Sequence, residues 1–331
     1  MLRRSCLALP LALAPLGSAA AQQRTLLNAA FDATREFFAA ANTAFAAQWQ
    51  QRTGEPLTIY RSHGGSGKQA RSVLDGLQAD VVSLALPPDI DMLARRGLVR
   101  TDWRTALPEQ ACPWGSTIVF MVRPGNPLGV RGWDDLLQPG LRLLTPNPKI
   151  SGGARWNYFA AWGHALRAGG SETAAREFVG QLFRQVPVLD SGARAATMSF
   201  VERGIGDVLL AWECEALLAQ RAFGTRRFEL ITPARSIRAA LPVAVVDQVA
   251  TRRGTGALAL AYLRYLYSPG AQALAARYFL RPCLQPATGF APLRTFTLEE
   301  VAGNWAQAQQ RHFADGGVFD QIYQGGARAS T

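Results

Sequence analysis

Three turns in the sequence join a strand-like run to the start of a predicted helix through serine and glycine. They lie at Ser62–Gln69 (SHGGSGKQ), Asn147–Arg155 (NPKISGGAR) and Asp190–Arg194 (DSGAR), and a fourth helix start, at Asp32, follows the strand-like Leu26–Asn28. The first N–H groups of a helix have no intrahelical partner, and the helix dipole gives them partial positive charge. Glycine lets a ligand come close to the backbone. The pattern therefore predicts a binding site for a small anion at the carboxyl ends of strands.

The first of these turns also has parts of two catalytic motifs, and it departs from both. A phosphate-binding loop of nucleotide hydrolases needs Gly at position 62 and Ser or Thr at position 69, where the chain has Ser62 and Gln69. A nucleophile elbow centred on Ser66 needs Gly at position 68, where the chain has Lys68. His63 is a candidate base only because it is near in sequence. Nucleotide hydrolysis is disfavoured, and a serine hydrolase stays a remote alternative.

The basic excess of the chain is spread along its length. The 331 residues include 35 Lys and Arg against 24 Asp and Glu, a formal net charge of +11, without a block of five like charges. A nucleic-acid partner is therefore not expected. A positive field of this kind helps to draw anions toward a cleft.

The amino terminus has the pattern of a secretory signal. Two arginines are followed by an apolar run over Cys6–Leu16 and by small residues. The run is too short to span a bilayer permanently. We predict that 1–21 is a signal peptide, that cleavage occurs before Gln22, and that the protein is exported to the periplasm.

Three cysteines remain after the predicted cleavage: Cys112, Cys214 and Cys283. Their spacing fits no metal motif, and the chain has only three histidines, so neither a metal nor another cofactor is expected. An odd count means one disulfide and one free thiol, or three free thiols. Cys112 and Cys283 are a possible pair, and Cys214 is predicted to be buried and free.

Short β-rich runs alternate with helical runs, which predicts an α/β fold. The chain has neither an internal repeat nor a low-complexity linker, so two lobes must be joined by crossover strands, for which 116–124 and 241–249 are candidates. Asp32 is predicted to be the N-cap of the first long helix. The predicted strands are 57–60, 81–86, 116–122, 141–145, 186–189, 207–211, 228–232 and 242–246, and the predicted helices are 33–52, 152–168, 172–184, 255–267 and 271–279.

Long segments of the chain closely resemble one family over essentially the whole mature length. They are SHGGSGKQA, STIVF, GNP, TPNPK, SGGARWNYFAAWG, LDSGAR, FVERGIGDVLLAWE, AYLRYLYSP and FDQI. The sequence resembles the periplasmic sulfate-binding proteins of ABC importers, with the thiosulfate-binding proteins as near relatives. This resemblance implies the two-lobed type II periplasmic binding protein fold, with a ligand cleft between the lobes. It predicts lobe 1 at 22–117, lobe 2 at 118–240, and the second part of lobe 1 with the C-terminal helices at 241–331.

The resemblance also implies which residues bind the anion. Asp32, Gly152, Gly153 and Ala193 match main-chain donors, and Trp212 matches an indole donor. Ser66 and Ser151 match positions that contribute hydroxyl donors. The neighbouring Arg155 and Arg194 are expected not to contact the ligand but to pair with acids such as Glu202 or Asp207.

The function implied by the resemblance is capture of sulfate by neutral hydrogen-bond donors and delivery to an ABC permease for uptake. A thiosulfate receptor of the same importer is the alternative. The expected partners are sulfate or thiosulfate and the permease transmembrane subunits, and the protein is expected to be a monomer without enzymatic activity.

Overall fold

The computed structural model describes residues 24–284 and 289–328, so the predicted signal peptide and its cleavage site lie outside the described residues. The strands are β1 (Arg24–Phe31), β2 (Leu57–Gly64), β3 (Val81–Ser83), β4 (Trp114–Ser116), β5 (Ile118–Val122), β6 (Leu143–Pro146), β7 (Leu189–Asp190), β8 (Val208–Trp212), β9 (Glu229–Ile231), β10 (Arg235–Ile237), β11 (Ala239–Leu241), β12 (Val243–Val245), β13 (Arg281–Pro282) and β14 (Arg294–Phe296).

The helices between them complete an α/β architecture, and none in the described part of the chain is long and apolar enough to cross a membrane. They are α1 (Arg35–Thr53), α2 (Ser66–Leu74), α3 (Pro87–Arg95), α4 (Pro108–Ala111), α5 (Gly152–Arg167), α6 (Glu172–Arg184), α7 (Ala193–Val201), α8 (Glu213–Phe223), α9 (Asp247–Arg253), α10 (Gly256–Tyr265), α11 (Pro269–Arg277), α12 (Glu299–Ala302), α13 (Trp305–Ala308) and α14 (Val318–Arg328). Short 3₁₀ turns occupy Asp32–Thr34, Trp103–Thr105 and Asp134–Leu137, and a π turn occupies Gln309–Phe313.

The first lobe is built on a four-stranded sheet with the order β12-β3-β1-β2. β1 and β2 are parallel over eight residue pairs and end at the same level, where Phe31 is opposite Gly64. The chain turns into Asp32 after one strand and into Ser66 after the other. Two of the predicted site residues are therefore delivered side by side at one edge of this sheet.

The second lobe is built on a five-stranded sheet with the order β7-β6-β8-β5-β9. β6 is parallel to both β7 and β8. The carboxyl ends of these three strands, at Pro146, Asp190 and Trp212, therefore lie at the same edge. The loops that follow them lead into α5, α7 and α8.

A three-stranded sheet with the order β11-β4-β13 connects the lobes. β4 leads from the first lobe into β5, and β11 returns the chain to β12. The crossovers are therefore at Trp114–Ser116 and Ala239–Leu241, slightly before the predicted 116–124 and 241–249, because the apolar runs at the predicted positions are the lobe strands β5 and β12 that follow the crossovers.

The C-terminal segment packs on the second lobe. β14 pairs in parallel with β10, and α14 packs against α6. Asp320 of α14 accepts a hydrogen bond from Nζ of Lys149 at 2.9 Å. The lobe boundaries at 117/118 and 240/241 stay a prediction.

Candidate anion-binding site

The ends of β1, β2, β6, β7 and β8 converge where the two lobes meet. A methyl group added at Gly152 would lie 3.0 Å from Cβ of Ser66, and one added at Gly153 would lie 2.5 Å from Nε1 of Trp212. One added at Gly192 would lie 2.7 Å from Oδ2 of Asp32. The approaches at Gly152 and Gly192 are contacts between the two lobes, and the approach at Gly153 lies within the second lobe. The structure thus brings together all the residues predicted for the site: Asp32, Ser66, Ser151, Gly152, Gly153, Ala193 and Trp212.

Several helices begin at this point. Ser66 is the first residue of α2, Gly152 and Gly153 are the first two of α5, and Ala193 is the first of α7. Residues in the first turn of a helix have no intrahelical acceptor, and the dipoles of the three helices add partial positive charge. The arrangement therefore suits an anion that accepts hydrogen bonds.

Trp212 adds a buried side-chain donor. It ends β8, its side chain is only 2 % exposed, and its Nε1 has no hydrogen-bond partner among the described residues. Nε1 of Trp156, by contrast, donates to the carbonyl of Ala85 at 2.8 Å. An indole N–H can only donate, and burying it without an acceptor is unfavourable. Nε1 of Trp49 and Nε1 of Trp114 also lack a partner among the described residues. Nε1 of Trp212, however, lies beside Gly153 in the first turn of α5, where an acceptor from a ligand would be stabilised.

Ser151 is the N-cap of α5. Its Oγ accepts a hydrogen bond from the backbone N–H of Ala154 at 3.4 Å, and the residue is buried. A hydroxyl that accepts from the helix still has its own hydrogen to donate. Ser151 can therefore serve the helix and an anion together.

The prediction that Ser66 contributes its hydroxyl is wrong. Its Oγ accepts from the N–H of Ala85 at 2.9 Å and donates to Oδ2 of Asp89 at 2.5 Å. Asp89 is buried, and burial raises its pKa because the charged form loses contact with water. The hydrogen bond from Ser66 acts in the opposite direction and stabilises the charged form. The N-cap of α2 is Gly65, and Ser66 is left with its backbone N–H as its donor to the site.

The prediction that Asp32 is the N-cap of the first long helix is also wrong. A 3₁₀ turn begins at Asp32, and α1 starts later, at Arg35. Oδ2 of Asp32 instead accepts from the backbone N–H of Arg194 at 3.4 Å, and burial raises the pKa of this carboxyl. Because the lobes approach each other here, the Asp32 carboxyl accepts from α7 of the second lobe instead of capping the helix that follows it.

Arg194 connects the two lobes beside the site. Its guanidinium donates to both carboxylate oxygens of Glu36 at 3.0 Å, and its Nε donates to Oε1 of Glu215 at 2.5 Å. Glu36 lies on α1 of the first lobe, whereas Arg194 and Glu215 lie on α7 and α8 of the second. Burial raises the pKa of Glu215 to about 7, although Arg194 acts in the opposite direction. We call these three residues the interlobe clasp.

The acids predicted to pair with the arginines were the wrong ones. Arg194 pairs with Glu36 and Glu215, while Asp207 pairs with Arg142 at 2.9 Å. Glu36 is 158 residues away and becomes a neighbour only when the lobes are assembled, whereas Glu215 lies on the next helix of the same lobe.

Arg155 is held within the protein beside the same site. Its Nε donates to the carbonyl of Pro148 at 2.7 Å, and its Nη1 donates to Oε1 of Gln309 at 2.8 Å. Nη1 also lies 4.0 Å from Oδ1 of Asp89. Its guanidinium is therefore engaged by protein groups behind the turn that carries Ser151.

A serine–histidine pair is not formed at the site. Ser66 donates to Asp89 rather than to His63, whose Nε2 has no partner among the described residues. Burial lowers the pKa of His63 to about 4. Across residues 24–284 and 289–328, no group of three or more His, Cys, Asp and Glu side chains is arranged to hold a metal ion.

Comparison with known proteins identifies relatives along almost the whole chain. The sequence is 53 % identical to a sulfate-binding protein of Salmonella typhimurium over 303 residues, which cover 90 % of this chain and 92 % of the relative. It is 48 % identical to a thiosulfate-binding protein of Pseudomonas aeruginosa over 314 residues, covering 93 % and 95 %.

The solved structure of the sulfate-binding protein SubI from Mycobacterium tuberculosis matches with a TM-score of 0.78 at 33 % identity, covering 87 % of this chain and 98 % of the other. This similarity confirms the predicted two-lobed α/β fold of the type II periplasmic binding proteins. The model of the family described as bacterial extracellular solute-binding protein matches residues 33–281. The chain therefore belongs to the family of bacterial extracellular solute-binding proteins.

Proposed function

We propose that this protein binds sulfate between its lobes and delivers it to the permease of an ABC importer. The observation that carries the proposal is the unpartnered, buried Nε1 of Trp212 beside the first turn of α5. A ligand that can only accept hydrogen bonds complements this environment. Close relatives that are named sulfate-binding proteins support the same choice of ligand.

The cost of burying a dianion is offset by donors that are already in position. An unpaired buried charge costs many kcal/mol, whereas a hydrogen bond to a charged group contributes about 1.5–3 kcal/mol. Several such bonds account for micromolar or tighter affinity. The proposed donors are the backbone N–H groups of Asp32, Ser66, Gly152, Gly153 and Ala193, the hydroxyl of Ser151 and the indole of Trp212.

A site built from donors selects between tetrahedral oxyanions. Sulfate is fully deprotonated at neutral pH and only accepts hydrogen bonds. Hydrogen phosphate carries a proton that needs an acceptor, and leaving it unpaired strongly disfavours binding. The carboxyl of Asp32 is directed to the N–H of Arg194 and is not offered to the ligand in this arrangement.

Thiosulfate is the alternative ligand, because a relative named a thiosulfate-binding protein is 48 % identical to this chain. Thiosulfate has the same charge and tetrahedral shape and differs by one larger, softer sulfur atom. The proposed donors serve either anion, so relative affinity decides between them.

The proposal is tested by titration calorimetry. The protein is first unfolded, stripped of ligand and refolded. We expect sulfate to bind more tightly than thiosulfate, and phosphate and molybdate to bind much more weakly. Thiosulfate binding more tightly than sulfate would establish the alternative. Phosphate binding as tightly as sulfate would contradict a site without acceptors.

Replacing Trp212 by Phe should weaken sulfate binding by about 10- to 100-fold, the equivalent of one hydrogen bond to a charged group. Trp133→Phe is the matched control, because the buried Trp133 donates its Nε1 to the carbonyl of Arg235 at 3.1 Å, within the second lobe. The sulfate affinity of both variants is measured by calorimetry, because the loss of a tryptophan changes the fluorescence of the protein. Unchanged affinity in Trp212→Phe would remove this indole from the site.

We propose further that the protein acts in the periplasm as a monomeric receptor and not as an enzyme. Mass spectrometry of exported protein beginning at Gln22 would establish the cleavage site. The remote hydrolase alternative predicts that a chromogenic ester is hydrolysed and that Ser66→Ala abolishes hydrolysis. We expect no turnover in either protein, because the Ser66 hydroxyl is committed to Asp89.

A further inference from the structure

Two of the cysteines lie at adjacent strand ends beside the crossover sheet. β13 runs antiparallel to β4, with Arg281 opposite Gly115 and Pro282 opposite Trp114. The ladder continues for one more step, because the backbone N–H of Cys283 donates to the carbonyl of Pro113 at 3.3 Å. Cys112 therefore precedes the residue that faces Cys283. In a regular ladder this offset of one residue would direct the two side chains to opposite faces of the sheet, but Cys112 lies outside β4, and both cysteines line the same cavity.

The spacing of β-strands sets the separation of the two Cα atoms. Strands about 4.8 Å apart with a rise of about 3.3 Å per residue place the Cα atoms of diagonal neighbours about 6 Å apart. Disulfides join Cα atoms that are about 4.4–6.8 Å apart. No disulfide joins these two cysteines in the structure.

The side chains around the two thiols form one environment. Gln272 is fully buried, donates to the carbonyl of Pro113 at 2.9 Å, and accepts from the backbone N–H of Cys283 at 3.1 Å. Burial raises the pKa of Cys112 to about 12, and the nearby Cys283 adds to this rise. Burial raises the pKa of the Tyr267 phenol, and both thiols add to this rise. Burial also raises the pKa of Cys214 to about 12, but the groups near this third thiol are Ser116 and two glutamates, so it lies in a different environment.

The backbone that leads into Cys112 is unusual. Glu109, Gln110 and Ala111 have φ values of 53°, 53° and 60°, a left-handed conformation that residues with a Cβ atom rarely adopt. Such a turn persists only where its surroundings hold it. A covalent bond at the next residue would hold it in place.

We propose that Cys112 and Cys283 are the site of a disulfide that ties β13 to the start of the first crossover. The oxidant is an external disulfide. The half-buried Cys283, as a thiolate, attacks one of its sulfur atoms and expels a thiolate, which takes up the proton that Cys283 lost. Cys112 then attacks the sulfur of Cys283 and expels the second thiol, so two cysteine thiols and one disulfide become one protein disulfide and two thiols.

The position of the bond leaves the lobes free to close. Cys112 precedes β4 and Cys283 lies beside Pro113, so both are at the first-lobe end of the crossover sheet. The bond closes a loop that contains the whole second lobe, which restricts the unfolded chain. We therefore expect higher stability and unchanged ligand affinity.

The test begins with folded protein treated with oxidised glutathione, unfolded in guanidinium and alkylated with N-ethylmaleimide. We expect alkylation of Cys214 and neither of the other two, together with a linked pair of peptides that contain Cys112 and Cys283. Cys214→Ser should keep the linked peptides, and Cys112→Ser should lose them and retain glutathione on Cys283. Alkylation of all three thiols, or glutathione that stays on Cys283 of the parent chain, would overturn the proposal.

Thermal unfolding provides the second readout. We expect the oxidised parent to melt about 5 °C or more above the reduced parent, and Cys112→Ser to show no such difference. Calorimetry with sulfate should give affinities within about twofold for the two forms, since neither cysteine is among the proposed donors. A linked pair of peptides without a rise in melting temperature would reject the stabilising role.

Discussion

Replacing Arg194 by Met is expected to weaken sulfate binding by about 100-fold, although its side chain is not among the proposed donors. Arg194 joins Glu36 of the first lobe to Glu215 of the second, and its contact with Glu36 exists only when the lobes are together. Removing one partner of a fully buried ion pair costs about 3–5 kcal/mol, and the pair with Glu36 contributes less than this because both side chains are partly exposed. The closed form therefore becomes less stable relative to the open form, and a ligand that requires closure binds less tightly.

Two further variants separate closure from local damage. Glu36→Gln breaks the part of the clasp that crosses between the lobes and leaves Arg194 paired with Glu215, so we expect a smaller loss, about 10-fold. Arg142→Met is the matched control, because its exposed pair with Asp207 lies within the second lobe. Small-angle scattering should show that the two clasp variants are more open without sulfate. A clasp variant that keeps both the parent affinity and the parent scattering profile would refute a role in closure.

A methyl group at Gly153 is expected to abolish most of the affinity for the anion. In Gly153→Ala the new Cβ would lie 2.5 Å from Nε1 of Trp212 and 3.2 Å from Cε2 of the same ring. The indole must then move away from the position in which its N–H meets the ligand. Because Gly153 also carries a proposed backbone donor, we expect sulfate affinity to fall by about 100-fold or more.

Gly256→Ala is the control for this substitution. Gly256 is also the first residue of a helix, α10, and a Cβ there would meet nothing within 4 Å. Alanine has a higher helix propensity than glycine, so neither substitution should reduce the helical content of the protein. Circular dichroism and calorimetry of both proteins complete the comparison. Parent-like affinity in Gly153→Ala would mean that the ligand and Trp212 do not meet at this turn.

Local sequence patterns were sufficient to predict several elements of the fold. The predicted helix 172–184 agrees with α6, and 152–168 differs from α5 by one residue at its end. Both begin after a serine that caps the helix, at Ser151 and Ser171. Capping and helical periodicity are local properties, which is why the sequence reveals them.

Elements that depend on distant partners were harder to predict. The start of α7 was predicted at the Asp190–Arg194 turn but not its extent of 9 residues, and α8, a helix of 11 residues, was not predicted. β10, β11, β13 and β14 have only two or three residues each, and pairing with strands from other parts of the chain stabilises them. Such short segments carry too little periodicity to be recognised without their partners.

The sequence by itself determined that serine- and glycine-rich helix starts follow strands, and its similarity to a known family indicated which residues belong to the site. Only the tertiary structure decided what each side chain does. Ser66 turns its hydroxyl to Asp89, the carboxyl of Asp32 faces Arg194, and Arg194 pairs across the lobes. The free N–H of Trp212 likewise becomes visible only when its neighbours are in place. The physical reason is that hydrogen-bond partners are assigned by distance in space, and the partners here are between 23 and 162 residues apart in the chain.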